Sequence, residues 1–250
     1  MFGVSQTSTT TLAPWIKHYP GPGAPGATLV FPHAGGAAIG YRPLAMALAA
    51  KGSDCYVLQY PARADRLAHP AHRTVAELAA ELFDAAGWAE LGPLRLVGHC
   101  MGAVVAFEFA RVAERRSTDV AALWASAAQA PCDVAAAGPL PTGPREMLAD
   151  MVDLGGTDPR LLSDPDFVEL LLMGVGADYA ALNRYSCADS ERLAADIHTL
   201  GGRDDHRIGA AMLRRWETHT DGAFSSTEFD GGHFYLNDHL DAIAELINAR

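Results

Sequence analysis

The chain has 250 residues, 49% of them hydrophobic, so it can bury one substantial core, and α/β folds commonly reach this length as one domain. Its formal net charge of −11 disfavours a nucleic-acid partner, because phosphates would be repelled at long range. Without a window near the roughly 18 apolar residues of a membrane span, and without a signal-peptide pattern, residues 1–250 are expected to form one cytoplasmic domain that binds no membrane.

Short apolar or β-branched runs alternate with amphipathic segments along the chain. One predicted helix closes at Lys51 and Gly52, and another begins at Thr74, which forms a capping box with Glu77. Strands that alternate with helices indicate βαβ units, so the predicted fold class is α/β, with a mostly parallel sheet covered by helices on both faces. The predicted strands are 27–31, 54–60, 94–98, 120–126 and 196–202.

The alternation stops between the fourth and fifth predicted strands. Residues 131–195 begin in a Pro/Gly-rich stretch and then read as helices, "REMLADMV" and "SDPDFVELLLMGV". The second of these has Ser163 or Asp164 as its cap and Pro165 at its first position. This helical insertion is either a lid that lines an apolar substrate channel or a set of helices that simply pack on the body.

The segment "LRLVGHCMGAVVAFEFARVAERR" reads as a strand, then G-x-C-x-G, then a helix. This is the layout of a nucleophile elbow, in which a tight turn presents the central side chain, Cys100, and Gly98 and Gly102 avoid clashes. A helix N-terminus and a nearby imidazole favour the reactive thiolate, so Cys100 is the predicted nucleophile. The other three cysteines, Cys55, Cys132 and Cys187, are interpreted as packing residues. Because no two cysteines form a CxxC pair, the sequence predicts neither a metal site nor a disulfide framework.

A nucleophile of this kind needs a base and an acid that orients it, in the chain order nucleophile, acid, histidine. His233 lies in a Gly-rich turn, "FDGGHFYL", after a strand-like run, and is the predicted base. Asp205, just after the last internal strand, is the predicted acid, with Asp204 and then Asp230 as alternatives. Four histidines lie in polar or loop contexts without evident partners, and His99 should point away from the nucleophile; the four are His18, His69, His72 and His219.

Two backbone amides are predicted to stabilise a developing oxyanion. One belongs to Met101, directly after the nucleophile, and the other to Ala34 in the loop "FPHAGGAAIGY" after the first predicted strand. The small residues of this loop would let its amides face a ligand.

Six sequence blocks together resemble the type II thioesterases of nonribosomal peptide and polyketide assembly lines, over nearly the whole chain. The resemblance implies an α/β-hydrolase with a helical lid that removes acyl groups from the phosphopantetheine thiol of an acyl or peptidyl carrier protein. It implies no cofactor of the enzyme's own, and we expect a monomer. Because such carriers are usually acidic, docking would need a local basic patch, for which Arg63 and Arg66 are candidates. The blocks are "PWIKHY", "LVFPHAGGAAIGYRPLA", "QYPARADRL", "GHCMGA", "WETHT" and "GGHFYL".

The chain departs from this family at Cys100, where serine is usual. A cysteine acyl-enzyme is itself a thioester, nearly isoenergetic with the carrier thioester, so transfer to a second thiol stays reversible. Related α/β-hydrolase proteins with cysteine at this position act as aminoacyl shuttles between carriers. The predicted activity is therefore hydrolysis, with acyl transfer as the alternative, and a cysteine introduced to trap an acyl intermediate as a third reading. A non-catalytic carrier-binding scaffold is disfavoured by the predicted acid and histidine.

Overall fold

The structure is a computed structural model that describes residues 12–23, 25–156 and 160–249. The strands in these ranges are β1 (Lys17–Tyr19), β2 (Ala27–Phe31), β3 (Asp54–Val57), β4 (Leu94–His99), β5 (Val120–Ser126), β6 (Asp196–Gly202) and β7 (Phe224–Phe229). They form one sheet in the order β1-β3-β2-β4-β5-β6-β7. The edge strand β1 pairs antiparallel with β3, and the other pairs are parallel. The order places β4, which leads to Cys100, at the centre of the sheet.

All five predicted strands are present. The run predicted over 54–60 ends earlier, at Val57, although the amide of Leu58 still donates to Val30 at 3.0 Å before the chain leaves the sheet. Strand β1 was not predicted, because an edge strand of three residues that is only half-buried carries no continuous apolar run.

The α-helices in the same ranges are α1 (Arg42–Ala50), α2 (Val75–Asp84), α3 (Met101–Arg115), α4 (Pro144–Leu154), α5 (Pro165–Leu182), α6 (Ala210–Arg214) and α7 (Leu240–Asn248). Helices α1 and α7 cover one face of the sheet, and α2 and α3 cover the other. The predicted α/β fold, mostly parallel and covered on both faces, is confirmed. None of the described helices is both long and apolar enough to cross a bilayer.

Helix ends follow the predicted signals. The Thr74 side chain accepts from the Glu77 amide at 3.2 Å, and the Glu77 carboxylate accepts from the Thr74 amide, which completes the capping box. Asp164 caps α5, with its carboxylate accepting from the amides of Asp166 and Phe167. Of the two predicted caps, Asp164 is therefore the one used.

Helices α4 and α5 lie between β5 and β6, within the predicted insertion. Met147 and Met151 of α4 pack against Val175 and Tyr179 of α5 in a small core that is separate from the two clusters on the sheet. Ala34, in the loop after β2, packs against this small core. The two helices thus contact each other and the loop that follows β2.

Candidate active site

Cys100 occupies the single residue between β4 and α3. Its backbone has φ 55° and ψ −123°, a conformation that residues with a side chain adopt at a cost of about 1–3 kcal/mol. Two backbone hydrogen bonds hold it there: the Cys100 amide donates to Ser126 at 2.8 Å, and its carbonyl accepts from Ala103 at 3.0 Å. The turn therefore presents the thiol at the carboxyl edge of the sheet and at the N-terminus of α3.

The two glycines of G-x-C-x-G are fixed by close backbone approach. A Cβ on Gly98 would lie 2.3 Å from the carbonyl oxygen of Gly102. A Cβ on Gly102 would lie 2.0 Å from the carbonyl oxygen of Phe31, at the end of β2. The elbow thus packs against the loop that contains Ala34, and neither position has room for a side chain.

The structure brings together the predicted base and the predicted acid. Nδ1 of His233 donates to Oδ2 of Asp205 at 2.8 Å, and both side chains are buried. The other Asp205 oxygen accepts from the amides of Arg207 at 2.9 Å and Ile208 at 3.1 Å. The two alternative acids lie outside this pair: Asp204 is exposed, and Asp230 forms an exposed ion pair with Arg203.

The pKa of His233 reflects both neighbours. Burial lowers this pKa, but the hydrogen bond to Asp205 and the interaction with the Cys100 sulfur outweigh it and raise the pKa to about 10. Burial raises the pKa of Asp205, yet His233 and the two amides lower it further, to below its usual value. Nε2 of His233 is buried and forms no hydrogen bond within the described residues. Cys100 acts on His233 through its charge.

A cavity of about 700 Å³ opens beside this pair. Cys100, Met101, Ala34 and His233 are among the residues that line it. The lining residues that come from the insertion are largely apolar and include Met151, Leu154, Leu171 and Leu182. No group of His, Cys, Asp or Glu in the described part of the chain is arranged to hold a metal ion.

Among residues 33–36 of the loop after β2, one amide has no hydrogen-bond partner within the described part of the chain. The His33 amide donates to the Tyr41 hydroxyl at 3.0 Å, that of Gly35 to the Asp178 carboxylate at 2.7 Å, and that of Gly36 to the His33 carbonyl at 2.9 Å. Between them, the Ala34 amide has no hydrogen-bond partner among the described residues, and it lies on the cavity wall. The predicted role of Ala34 in stabilising an oxyanion requires such an unpaired amide beside the cavity, and it stays a prediction.

Three histidine rings cluster at the site, a feature that sequence reasoning missed. The His99 ring lies 5.3 Å from that of His233 and 6.1 Å from that of His33. His99 hydrogen-bonds through Nδ1 with Ser126 at 2.9 Å, and the Tyr41 hydroxyl donates to Nδ1 of His33 at 2.6 Å. Burial, with the charges of His233 and Arg63, lowers the pKa of His33 to about 3, so its ring is neutral at neutral pH.

The predicted basic docking patch is wrong. Arg63 is 7% exposed and pairs with Asp178, while Arg66 is 2% exposed, pairs with Glu81 and stacks over Trp15 with its guanidinium 4.1 Å from the ring centre. Both guanidinium groups are enclosed because the carboxylates compensate their charge. Neither offers a surface to an acidic partner.

Three of the histidines that were expected to lack partners have them. His18 pairs with Asp54 at 2.6 Å, and His72 pairs with Glu81. His219 is fully buried, bonded through Nδ1 to the Glu191 carbonyl at 2.7 Å.

The remaining cysteines lie outside the cavity lining. Burial raises the pKa of the Cys55 thiol, and burial with Asp133 raises that of Cys132 to about 11. Burial also raises the pKa of Cys187. These thiols are held in their unreactive, protonated form at neutral pH.

Known proteins resemble this chain in sequence and in fold. The family model described as "Thioesterase domain" matches residues 28–250. "Phenyloxazoline synthase MbtB" of Mycobacterium tuberculosis is 58% identical over 98% of this chain, which spans only 17% of that synthase's length. A "probable cadicidin biosynthesis thioesterase" of Streptomyces griseus is 34% identical over 95% of this chain and 66% of its own. The structure of "the type II thioesterase BorB from the borrelidin biosynthetic cluster" superposes with a TM-score of 0.81 at 36% identity, covering 94% of this chain and 98% of BorB. With its α/β-hydrolase fold and acyl-hydrolase relatives, the chain belongs to the thioesterase domain family of enzymes.

Proposed function

We propose that this enzyme hydrolyses acyl or aminoacyl thioesters carried on the phosphopantetheine of an acyl or peptidyl carrier protein, in nonribosomal peptide or polyketide biosynthesis. The names of the similar thioesterases and of the synthase support this setting. The observation that carries the chemistry is the arrangement at His233, whose Nδ1 is fixed by Asp205 and whose ring lines the same cavity as Cys100.

In the first step, the Cys100 thiolate attacks the carbonyl carbon of the carrier thioester. The tetrahedral oxyanion is stabilised by the amides of Met101 and Ala34. The C–S bond to phosphopantetheine then breaks, and the departing sulfur takes the proton from Nε2 of His233. The products are the free carrier thiol and an acyl group bound to Cys100 as a thioester.

In the second step, neutral His233 accepts a proton from water as the water attacks the acyl-Cys100 carbonyl. The bond to Sγ breaks, and the carboxylic acid leaves while Cys100 regains its thiolate beside the imidazolium. Asp205 holds Nδ1 protonated throughout, which keeps Nε2 directed at the reacting atoms. The insertion 131–195 acts as a lid whose apolar side chains hold the acyl chain in the cavity.

The test follows the masses of enzyme and carrier after mixing with an acylated carrier. We expect a transient acyl adduct on Cys100, then free acid and free carrier thiol. Cys100→Ala should abolish both, whereas Cys55→Ala, which removes a buried thiol outside the cavity, should retain them. Turnover at the wild-type rate by an enzyme alkylated at Cys100 would refute the assignment.

Transfer to a second carrier thiol is a second candidate, favoured by the sulfur at position 100. The acyl-Cys100 thioester has nearly the free energy of the carrier thioester, and thiols attack thioesters readily. Adding a second carrier with a free phosphopantetheine thiol separates the two functions. Acyl label on the second carrier supports transfer, and free acid at an unchanged rate supports hydrolysis.

Cys100→Ser tests what the sulfur contributes. An oxygen ester at this position lies below the thioester in free energy, so transfer back to a thiol becomes unfavourable and water is the productive acceptor. If cysteine replaces a serine natural to this position, the serine variant should hydrolyse the carrier thioester much faster than the cysteine enzyme. Faster transfer to a second carrier thiol by the cysteine enzyme would instead favour transfer as the reaction that Cys100 serves.

A further inference from the structure

A buried ion pair connects helix α5 with the loop that follows β3. Arg63 donates to both carboxylate oxygens of Asp178, at 2.6 and 2.7 Å, and its Nε donates to the Pro61 carbonyl at 3.1 Å. Both side chains are less than 10% exposed. Two planar groups in this bidentate arrangement fix each other's position and orientation.

Asp178 also contacts the loop after β2, whose residues 33–36 are called the oxyanion loop from here on. The oxygen that accepts from Arg63 at 2.6 Å accepts in addition from the Gly35 amide at 2.7 Å. Gly35 adopts φ +75°, and a Cβ there would lie 2.3 Å from a methyl group of Val175, so α5 approaches the loop as closely as the backbone allows. One carboxylate therefore connects helix α5 both to the oxyanion loop and to Arg63.

This contact determines the direction of the Ala34 amide. The peptide unit that contains the Ala34 N–H is held because its carbonyl, that of His33, accepts from the Gly36 amide. The next peptide unit is held because its N–H, that of Gly35, donates to Asp178. Both peptide units that flank the Ala34 Cα are thus held, and its amide has no competing acceptor among the described residues that line the cavity.

We propose that Asp178 is a positioning residue that makes oxyanion stabilisation depend on helix α5 being seated over the active site. This inference rests on the proposed function, because it assumes an acyl carbonyl beside the Ala34 amide. When α5 lifts to admit substrate or release product, the Gly35 amide loses its acceptor and the loop is no longer held. The thioester bond is then cleaved only after α5 has closed over the acyl chain.

Two reactions at the same sulfur test this dependence. Alkylation of Cys100 by iodoacetamide is a displacement at a saturated carbon and needs no oxyanion, whereas acylation by an acyl-pantetheine thioester does. For Asp178→Ala we expect acylation to slow by about 10²-fold, the scale of losing one oxyanion donor, and alkylation to change by less than about threefold. Glu169→Ala, which removes an exposed carboxylate from the same helix, is the matched control and should leave both rates unchanged.

Removing one partner of a buried ion pair can destabilise a fold, so a second comparison uses variants designed to remain folded. Arg63→Met with Asp178→Leu replaces the pair by apolar groups and leaves the Gly35 amide without its acceptor. This double variant should melt near the wild-type temperature and still acylate about 10²-fold more slowly. Asp178→Asn keeps an oxygen for Gly35, so its acylation rate should recover most of what the alanine variant loses.

The outcomes separate the two proposals. If the wild-type enzyme forms no acyl adduct, the proposed function fails. If the wild type acylates and the folded double variant acylates as fast, the function stands and the role of Asp178 is overturned. A parallel loss of alkylation and acylation in Asp178→Ala and in the double variant would likewise overturn it, since a disordered site would explain the loss of both reactions.

Discussion

The backbone of Cys100 predicts that removing its Cβ stabilises the fold. The values φ 55° and ψ −123° suit glycine, whereas a residue with a Cβ there stores about 1–3 kcal/mol of strain. The informative comparison is Cys100→Gly against Cys100→Ala. Both variants remove the sulfur and its effect on His233, so they differ only in the Cβ.

The magnitude is a balance of two terms. Relief of strain favours the glycine variant by about 1–3 kcal/mol, and the greater backbone entropy of unfolded glycine opposes it by about 0.5–1 kcal/mol. The glycine variant should therefore be more stable than the alanine variant by about 1 kcal/mol. In a chain of this size, that corresponds to a rise of about 2–4 °C in melting temperature.

Thermal melts and urea titrations of both variants under identical conditions measure this difference. Ala106→Gly supplies the control, because Ala106 lies inside α3, where glycine should cost about 1 kcal/mol or more. Replacing alanine by glycine should thus raise the free energy of unfolding at position 100 and lower it at position 106. If glycine destabilises position 100 as it does position 106, the attribution of strain to the nucleophile turn is refuted.

Three further predictions concern the acid, the base and the elbow. Asp205→Asn should slow enzyme acylation by a thioester about 10²–10⁴-fold, because the His233 imidazolium loses its carboxylate partner. Asp204→Asn, at an exposed position, should not slow it, and equal effects would contradict the assignment of Asp205 as the acid. Because folding raises the pKa of His233 from 6.5 to about 10, its stabilisation is complete below pH 6.5 and lost as pH rises through about 10. The free energy of unfolding in urea should fall over this range of pH, and it should change less with pH in His233→Gln. An equally steep dependence on pH in that variant would contradict the linkage. Gly102→Ala should destabilise by about 3 kcal/mol or more in the same titration, against little change for Gly176→Ala, whose Cβ would meet its neighbours at 3.6 Å; similar losses would argue against steric closure of the elbow.

The features that the sequence predicted best are those whose partners lie nearby along the chain. The capping box of Thr74 and Glu77 spans three residues, and the elbow needs only a strand, two glycines and a helix in succession. His233 and Asp205 lie far from the elbow in sequence, but each follows a strand of the sheet. Since parallel strands end at one edge, the α/β pattern was enough to place them together.

The charged residues show where sequence reasoning stopped. Arginine is almost always exposed unless it is paired, so a basic surface at Arg63 and Arg66 was a reasonable expectation. The partner of Arg63 is Asp178, 115 residues later on a helix whose docking position no local pattern encodes. A buried pair of opposite charges at long separation is visible only once the fold has brought the two segments together.

The same separation explains why the histidine cluster was missed. His33, His99 and His233 come from three different loops or strands, and their rings meet only at the edge of the sheet. Their protonation differs with their neighbours: burial lowers the pKa of His33 and His99, and Asp205 with Cys100 raises that of His233. Among the described residues, a carboxylate contacts only the His233 ring, which is the ring that we propose as the base.

The Cys100 sulfur influences His233 only while it is a thiolate. In the proposed mechanism, the thiolate adds to the effect of Asp205 and keeps His233 protonated, ready to give its proton to the departing carrier thiol. Once acylated, the sulfur carries no charge, so this contribution to the pKa of His233 disappears while burial still lowers it. His233 then becomes a base at the moment when the acceptor must lose a proton. In the proposed mechanism, the same imidazole thus serves as acid and as base in turn, and whether water or a second thiol accepts the acyl group depends on which of them reaches Nε2 beneath the seated helix α5.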